Sequence, residues 1–304
     1  MNRVVITGAS GFIGKSLCKA LIESKVFTYA IVRDSYKMKD LVSNKYIKII
    51  EADFNCYEQI ISNIEGDIDV FYHFAWDGTY GQKLTNYELQ LSNVKNTCDT
   101  LMLATKLGCK KFIFAGTINQ LEIKKYMNME TCEPRLACIY GTSKLACEMM
   151  CKTLAYNNNI EFNTAIISSV FGPGDKSKMI QNVLIKKFID NEKPKLVKGN
   201  YLYDWIYIDD VVNMLIEIGK KSVNFREYYI GNIELRTFKD IILEVKNIIN
   251  PNLEITFGEL NDTSVIDYSQ INLNSVYEDT GYLPKCDFRE SILKTVEWVK
   301  TLNF

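Results

Sequence analysis

Tyr140-Gly141-Thr142-Ser143-Lys144 puts a phenol and an amine four residues apart, a spacing that sets both on one face of a helix. A phenol near pKa 10 is a poor base at neutral pH, and a neighbouring ammonium favours its phenolate. Lys144 would in this way activate Tyr140. Such a pair could donate a proton to a carbonyl oxygen being reduced, or remove one from an alcohol being oxidised. The spacing alone says little, because with 18 tyrosines chance supplies roughly two such patterns. His73 is the one histidine in the chain, so a serine-histidine-acid triad is disfavoured. It sits at the end of Val70-Phe74, a strand-like run, where packing or lining a cofactor loop suits it better than catalysis.

Thr7-Gly8-Ala9-Ser10-Gly11-Phe12-Ile13-Gly14 supplies the context. It follows the strand-like run Val4-Ile6 and leads into a helix expected from near Lys15. Gly8 would form the tight turn, Gly11 would let backbone amides approach a pyrophosphate, and Gly14 would let helix pack on strand. The helix N-terminus would then offer its amides and dipole to phosphate. Gly8, Ser10, Gly11, Phe12, Ile13 and Gly14 are therefore candidate contacts of a nicotinamide dinucleotide. An ordinary glycine-containing turn is the alternative, and the strand before and helix after favour the dinucleotide. An oxidised nicotinamide would further favour the Tyr140 phenolate, and Lys144 could also hold the nicotinamide ribose. At the end of the second strand, where an acid would bind the ribose 2'-hydroxyl of NAD, stands Arg33. Its guanidinium suits the 2'-phosphate of NADP. The other reading has Arg33 solvated and Asp34 on the ribose of NAD.

The elements needed to position these groups are legible as alternation. Short β-branched or aromatic runs, among them Tyr29-Val32, Ile47-Ile50, Val70-Phe74 and Phe112-Ala115, alternate with amphipathic stretches such as Lys15-Glu23. This is the pattern of βαβ units around a parallel sheet covered on both faces. After Gly172-Pro173-Gly174 the texture changes. Met179-Asp190 reads as a helix, Trp205-Val212 as a strand followed by a capped helix, and Glu290-Lys300 as a last amphipathic helix. The expectation is an α/β fold: a Rossmann-type doubly wound sheet from residues 1–168 and about 204–232, with a smaller interleaved region from 169–203 and 233–304.

Composition fits a folded enzyme-sized body, with 47% apolar and 24% charged residues in 304. A net charge of -1 without a basic stripe disfavours nucleic acid and anionic membranes as partners. The absence of a long apolar stretch points to the cytoplasm. Nine cysteines, scattered without metal-type spacing, read as reduced thiols, and no metal is expected. Cys147 and Cys151 share a helical face, which core packing explains as well as redox chemistry.

Together the glycine loop, in the variant G-x-x-G-x-x-G, and the Tyr140-Lys144 pair resemble the extended short-chain dehydrogenases that act on nucleotide sugars, the nucleotide-sugar epimerase/dehydratase family. The resemblance extends to Asn93-Val94 on what would be the fourth helix, Val170-Asp175, Asp204-Asp210 and Gly281-Pro284. It implies a Rossmann domain, a smaller substrate domain, and a homodimer formed through helices of the first domain. It also implies that Thr117, ending Lys111-Thr117, is the catalytic hydroxyl beside Tyr140 and Lys144, and that Asp53-Phe54 contacts the adenine. Gly11-Lys15, Val32-Asp34 and Ala75-Trp76 resemble 4-keto-sugar reductases of the abequose and paratose synthase type. By this resemblance Ala75 belongs to the cofactor site, and Trp76, Thr117, Asn119, Ser169 and Tyr203 to the substrate site.

The departures bear on the reaction. Family dehydratases follow the catalytic hydroxyl with Asp-Glu, whereas Ile118-Asn119 follows here, so dehydration is disfavoured. Tyr203 stands where the family has a diphosphate-binding arginine, and Ser169 where it often has asparagine. The expected activity is NADPH-dependent reduction of a nucleotide-linked 4-keto sugar. The alternatives are 4-epimerisation with tightly bound NAD and, from a different class, non-catalytic dinucleotide sensing.

Overall fold

In the computed structural model, which describes residues 1–53, 57–262 and 266–302, the chain begins with an apolar strand whose central residues are buried on both sides. This is β1 (Arg3–Thr7), followed by α1 (Phe12–Glu23), β2 (Phe27–Val32), β3 (Ile47–Glu51), α2 (Tyr57–Asn63), β4 (Val70–His73) and α3 (Tyr87–Lys106). Next come β5 (Lys111–Thr117), α4 (Asn119–Met127), α5 (Cys138–Asn157), β6 (Glu161–Ile167), β7 (Ser169–Phe171) and α6 (Ile180–Ile189). The remainder is β8 (Leu202–Tyr203), β9 (Trp205–Tyr207), α7 (Ile208–Lys221), β10 (Glu227–Ile230), β11 (Arg236–Thr237), α8 (Phe238–Ile249), α9 (Ser275–Thr280) and α10 (Phe288–Lys300).

Seven strands form one sheet in the order β10-β6-β5-β4-β1-β2-β3, and every neighbouring pair is parallel. The order reverses between β1 and β4. In such a sheet the crevice at the carboxyl ends of those strands is where a ligand binds. Helices cover both faces. Leu17, Leu21, Val211 and Leu215 pack on one side, while Phe71, Phe112, Phe162 and Leu101 fill the other. The fold class therefore agrees with the alternation in the sequence.

Three details differ from the sequence expectation. The chain between β2 and β3 forms only a short 3-10 turn, Ser35–Met38, capped by the Asp34 carboxylate. Asn93 and Val94 consequently lie on the third helix, α3, not on a fourth. The expected strand at 205–208 does form, as β9, but it pairs with β7 outside the main sheet. The helix after it, α7, has no side-chain cap. Asp210 in its first turn instead accepts hydrogen bonds from Tyr282 Oη and from the backbone N–H groups of Lys285 and Cys286. Its carboxylate ties the 282–286 segment to the sheet-covering helix and is thereby turned away from its own helix end.

Helices α6, α8 and α10 pack on one another, and β8 pairs antiparallel with β11. Among the described residues no helix is long and apolar enough to cross a membrane, and every described cysteine is a free thiol.

Candidate active site

The glycine loop joins the end of β1 to α1. Gly8 has φ +67, and a Cβ there would stand 2.8 Å from the backbone N of Ala75; at Gly14, in the first turn of α1, a Cβ would stand 2.4 Å from the Gly8 carbonyl oxygen. Both positions need glycine for loop, helix and the end of β4 to come this close. Gly11 is the N-cap and no side chain caps the helix, so the first-turn amides are presented in the manner that binds phosphate. Phe12 and Ile13 pack their partly buried side chains against the core under the sheet.

A cleft of about 280 Å³ opens beside this loop, lined by Gly8, Ser10, Gly11, Arg33, Lys37, Asp53, Ala75 and Trp76 among others. The geometry fits a nicotinamide dinucleotide: a tight glycine loop, a helix N-terminus without a side-chain cap, and two cations, Arg33 and Lys37, in the cleft lining. Phe54 lies outside the described residues. Asp34, the competing ribose contact, accepts the backbone N–H of Tyr36 with one oxygen of its carboxylate. Lys37 escaped the sequence reading because the 3-10 turn that carries it has no periodicity to announce it. Its backbone carbonyl is held by Lys15 Nζ at 2.8 Å, and Lys15 is in turn paired with Asp40 at 2.5 Å.

His73 is 1% exposed. Its Nδ1 lies 2.8 Å from Thr7 Oγ1 and its Nε2 3.0 Å from Thr97 Oγ1. It braces β1 just before the glycine loop, and burial lowers its pKa to about 3.

Tyr140 and Lys144 lie on the first two turns of α5, facing the end of β5. The Lys144 ammonium donates to the Ala115 carbonyl at 2.8 Å and stands 3.7 Å above the Trp76 ring and 4.8 Å from that of Phe114. Trp76 meets Tyr140 edge to face at 6.2 Å, and its indole N–H donates to Gln90 Oε1 at 2.8 Å. Trp76 thus links the cleft beside the glycine loop to the proton-handling pair and touches both of its members. The Thr117 hydroxyl lowers the pKa of the Tyr140 phenol and accepts the backbone N–H of Asn119 at 3.3 Å. The structure brings Thr117, Tyr140, Lys144 and Trp76 together.

Burial acts on both members of the pair, each toward its uncharged form. Burial pushes Tyr140 up to about 12, opposed by the Thr117 hydroxyl. Burial likewise pulls Lys144 down to about 7. For Tyr140 desolvation outweighs the Thr117 effect and favours the protonated phenol, the form that can donate a proton.

Ser169 and Tyr203, the two departures from the family pattern, bond to each other: Ser169 Oγ donates to Tyr203 Oη at 3.0 Å. Ser169 follows shortly after Ile167, the register partner of Thr117. Tyr203 packs against Tyr201 and Phe238. One hydroxyl thus satisfies its donor on the other within an aromatic wall.

A doubly wound parallel sheet with a glycine-cradled cleft and a threonine-tyrosine-lysine constellation beside it defines a dinucleotide-dependent enzyme. The chain belongs to the NAD dependent epimerase/dehydratase family, whose sequence profile matches residues 4–231; its members include nucleotide-sugar reductases and epimerases. Among characterised relatives, it is 28% identical to CDP-abequose synthase of Salmonella typhimurium over 95% of both chains. It is 25% identical to human dTDP-D-glucose 4,6-dehydratase over 98% of this chain and 90% of that one. Its fold is similar to UDP-glucose 4-epimerase of Thermotoga maritima, with a TM-score of 0.78 at 20% identity over 98% of each chain. UDP-glucuronic acid 4-epimerase of Bacillus cereus, solved with UDP-glucuronic acid and NAD, gives a TM-score of 0.77 at 20% identity over 99% and 100%.

Proposed function

We propose that the protein reduces the carbonyl of a nucleotide-linked 4-keto sugar with NADPH. The observation that carries this reading is the buried Tyr140 phenol, kept protonated by desolvation and set edge to face against Trp76. The glycine loop and the first-turn amides of α1 would hold the dinucleotide, whose nicotinamide would supply the hydride for the carbonyl carbon. Tyr140 gives its proton to the developing alkoxide, and Thr117 orients that oxygen. Lys144, held by the Ala115 carbonyl and the Trp76 face, limits the charge that builds on Tyr140 as the proton leaves. Arg33 and Lys37 at the cleft rim favour the 2'-phosphate of NADP over a bare hydroxyl. Ile118-Asn119 in place of an Asp-Glu pair leaves β-elimination without its acid and base, against a dehydratase. The likeness to CDP-abequose synthase along nearly the whole chain supports the same class of substrate.

Residues 169–203 and 233–304 would hold the sugar nucleotide, with Trp76, Asn119, Ser169 and Tyr203 facing it. A homodimer formed through α3 and α5 and a reducing, cytoplasmic setting complete the reading.

The test is a panel of nucleotide-linked 4-keto sugars and hexoses assayed with NADPH and NADH, following cofactor oxidation and sugar stereochemistry. Stoichiometric NADPH oxidation with a keto sugar is expected, and Y140F should lower kcat by about 10²–10⁴-fold while still binding NADPH. Inversion at one carbon without net cofactor use would replace reduction by epimerisation. Unchanged turnover in Y140F would overturn both catalytic readings.

A further inference from the structure

Gln120, in the first turn of α4, is fully buried. Its Oε1 accepts the backbone N–H of Thr117 at 2.9 Å, and its Nε2 donates to Glu148 Oε2 at 2.6 Å. The orientation of the amide follows from its partners, since a backbone N–H can only donate and a carboxylate oxygen accepts. Glu148 is also fully buried. It lies one helical turn beyond Lys144 and two beyond Tyr140, on the same face of α5. Its other oxygen stands 2.7 Å from Lys152 Nζ. Nearby Glu227 is held by Lys124 at 2.6 and 2.7 Å.

A buried carboxylate is costly, and well-packed apolar side chains of similar volume would commonly serve stability as well or better. What an apolar pair could not supply is direction. The amide fixes the backbone of Thr117, and the Asn119 N–H fixes its hydroxyl oxygen. Thr117 then has one remaining freedom, its O–H, beside Tyr140. The other end of the amide is anchored on the helix that carries Tyr140, so strand end and helix are set against each other.

We propose that Gln120 and Glu148 are a buried positioning pair that holds the Thr117 hydroxyl in register with Tyr140, without themselves touching substrate or dinucleotide. This rests on the reading of Thr117 and Tyr140 as the proton-handling groups. The glycine loop belongs to β1 and α1, and β4 stands between β1 and β5 in the sheet. Loss of the pair should therefore spare dinucleotide binding.

The experiment uses the full chain with Q120L, E148L, T117V and the reciprocal exchange Q120E/E148Q, each checked for folding by circular dichroism. In the exchange, the new amide on α5 can donate to the new carboxylate on α4, which can still accept from Thr117 N–H. Tyrosine labelled with carbon-13 at Cζ reports the Tyr140 phenol, its resonance identified by loss in Y140F. Q120L and E148L should move that resonance in the same direction as T117V and lower kcat by about 10–100-fold, with the NADPH Kd within about two-fold of wild type. The exchange should restore the resonance and most of kcat. A folded Q120L with the wild-type resonance overturns the proposal. So does a folded exchange variant that stays as displaced as Q120L, which would reduce the pair to packing. If the wild type turned over no sugar on the panel, the functional reading would fail, and the resonance would still decide the positioning role.

Discussion

At the scale of single residues, the site consists of groups whose ordinary chemistry is altered by burial. Tyr140 and Lys144 move in opposite directions, to about 12 and about 7, because desolvation penalises the charged form of each. Arg33 and Lys37 are instead exposed at the cleft rim, so their attraction for a 2'-phosphate is moderated by solvent and weakened by salt. The double variant R33A/K37A should weaken NADPH binding by about ten-fold, in line with losing one to two charge-assisted contacts. It should leave NADH within about two-fold, both read by fluorescence titration. Tyr140, Lys144 and Arg33 were legible because each sits at a fixed offset from a glycine loop or strand end. Gln120 and Glu148 were not. Nothing in a linear sequence says that an amide in one helix meets a carboxylate in the next, although Glu148 shares the i, i+4 ladder of Tyr140 and Lys144 and could have been suspected from it.

At the scale of elements, strands buried on both faces were the clearest signal, since Val70-Phe71-Tyr72 and Phe112-Ile113-Phe114 leave no polar face to misread. The short strands were harder. β10 has four residues, and its identity depends on β6 offering an open edge. The joint between β4, β1 and α3 is pinned by His73 through Thr7 and Thr97, and it carries a pH signature. The folded pKa near 3 lies below the ordinary 6.5, so between those values the unfolded chain binds a proton that the native protein refuses. Stability is then full above pH 6.5 and declines as pH falls toward 3, by up to roughly 3–5 kcal/mol for this one group. H73Q should melt earlier than wild type at pH 7.5, having lost this brace, yet show a flatter fall in Tm between pH 7 and 4.5. A parallel fall in the two proteins would mean that another group governs acid sensitivity.

At the scale of the whole molecule, α3 and α5 lie side by side and leave large apolar side chains in solvent: Leu91 at 60%, Met149 at 57%, Met150 at 51% and Tyr156 at 72% exposure. The homodimer proposed through these two helices would cover exposed apolar side chains of this kind. L91E/M150E should shift the mass measured by light scattering from dimer to monomer; a wild type that is already monomeric would remove the expectation. The layout of the sheet also has a consequence for how the protein is made. β6 must wait for β10, which the ribosome delivers roughly 60 residues later, so at about 5–20 residues per second the nascent sheet stands with an open parallel edge for several seconds. That edge is a template for pairing with another chain. Slow codons or a stall between β6 and β10 would therefore harm yield through misassembly during synthesis, even though the finished enzyme leaves β6 covered.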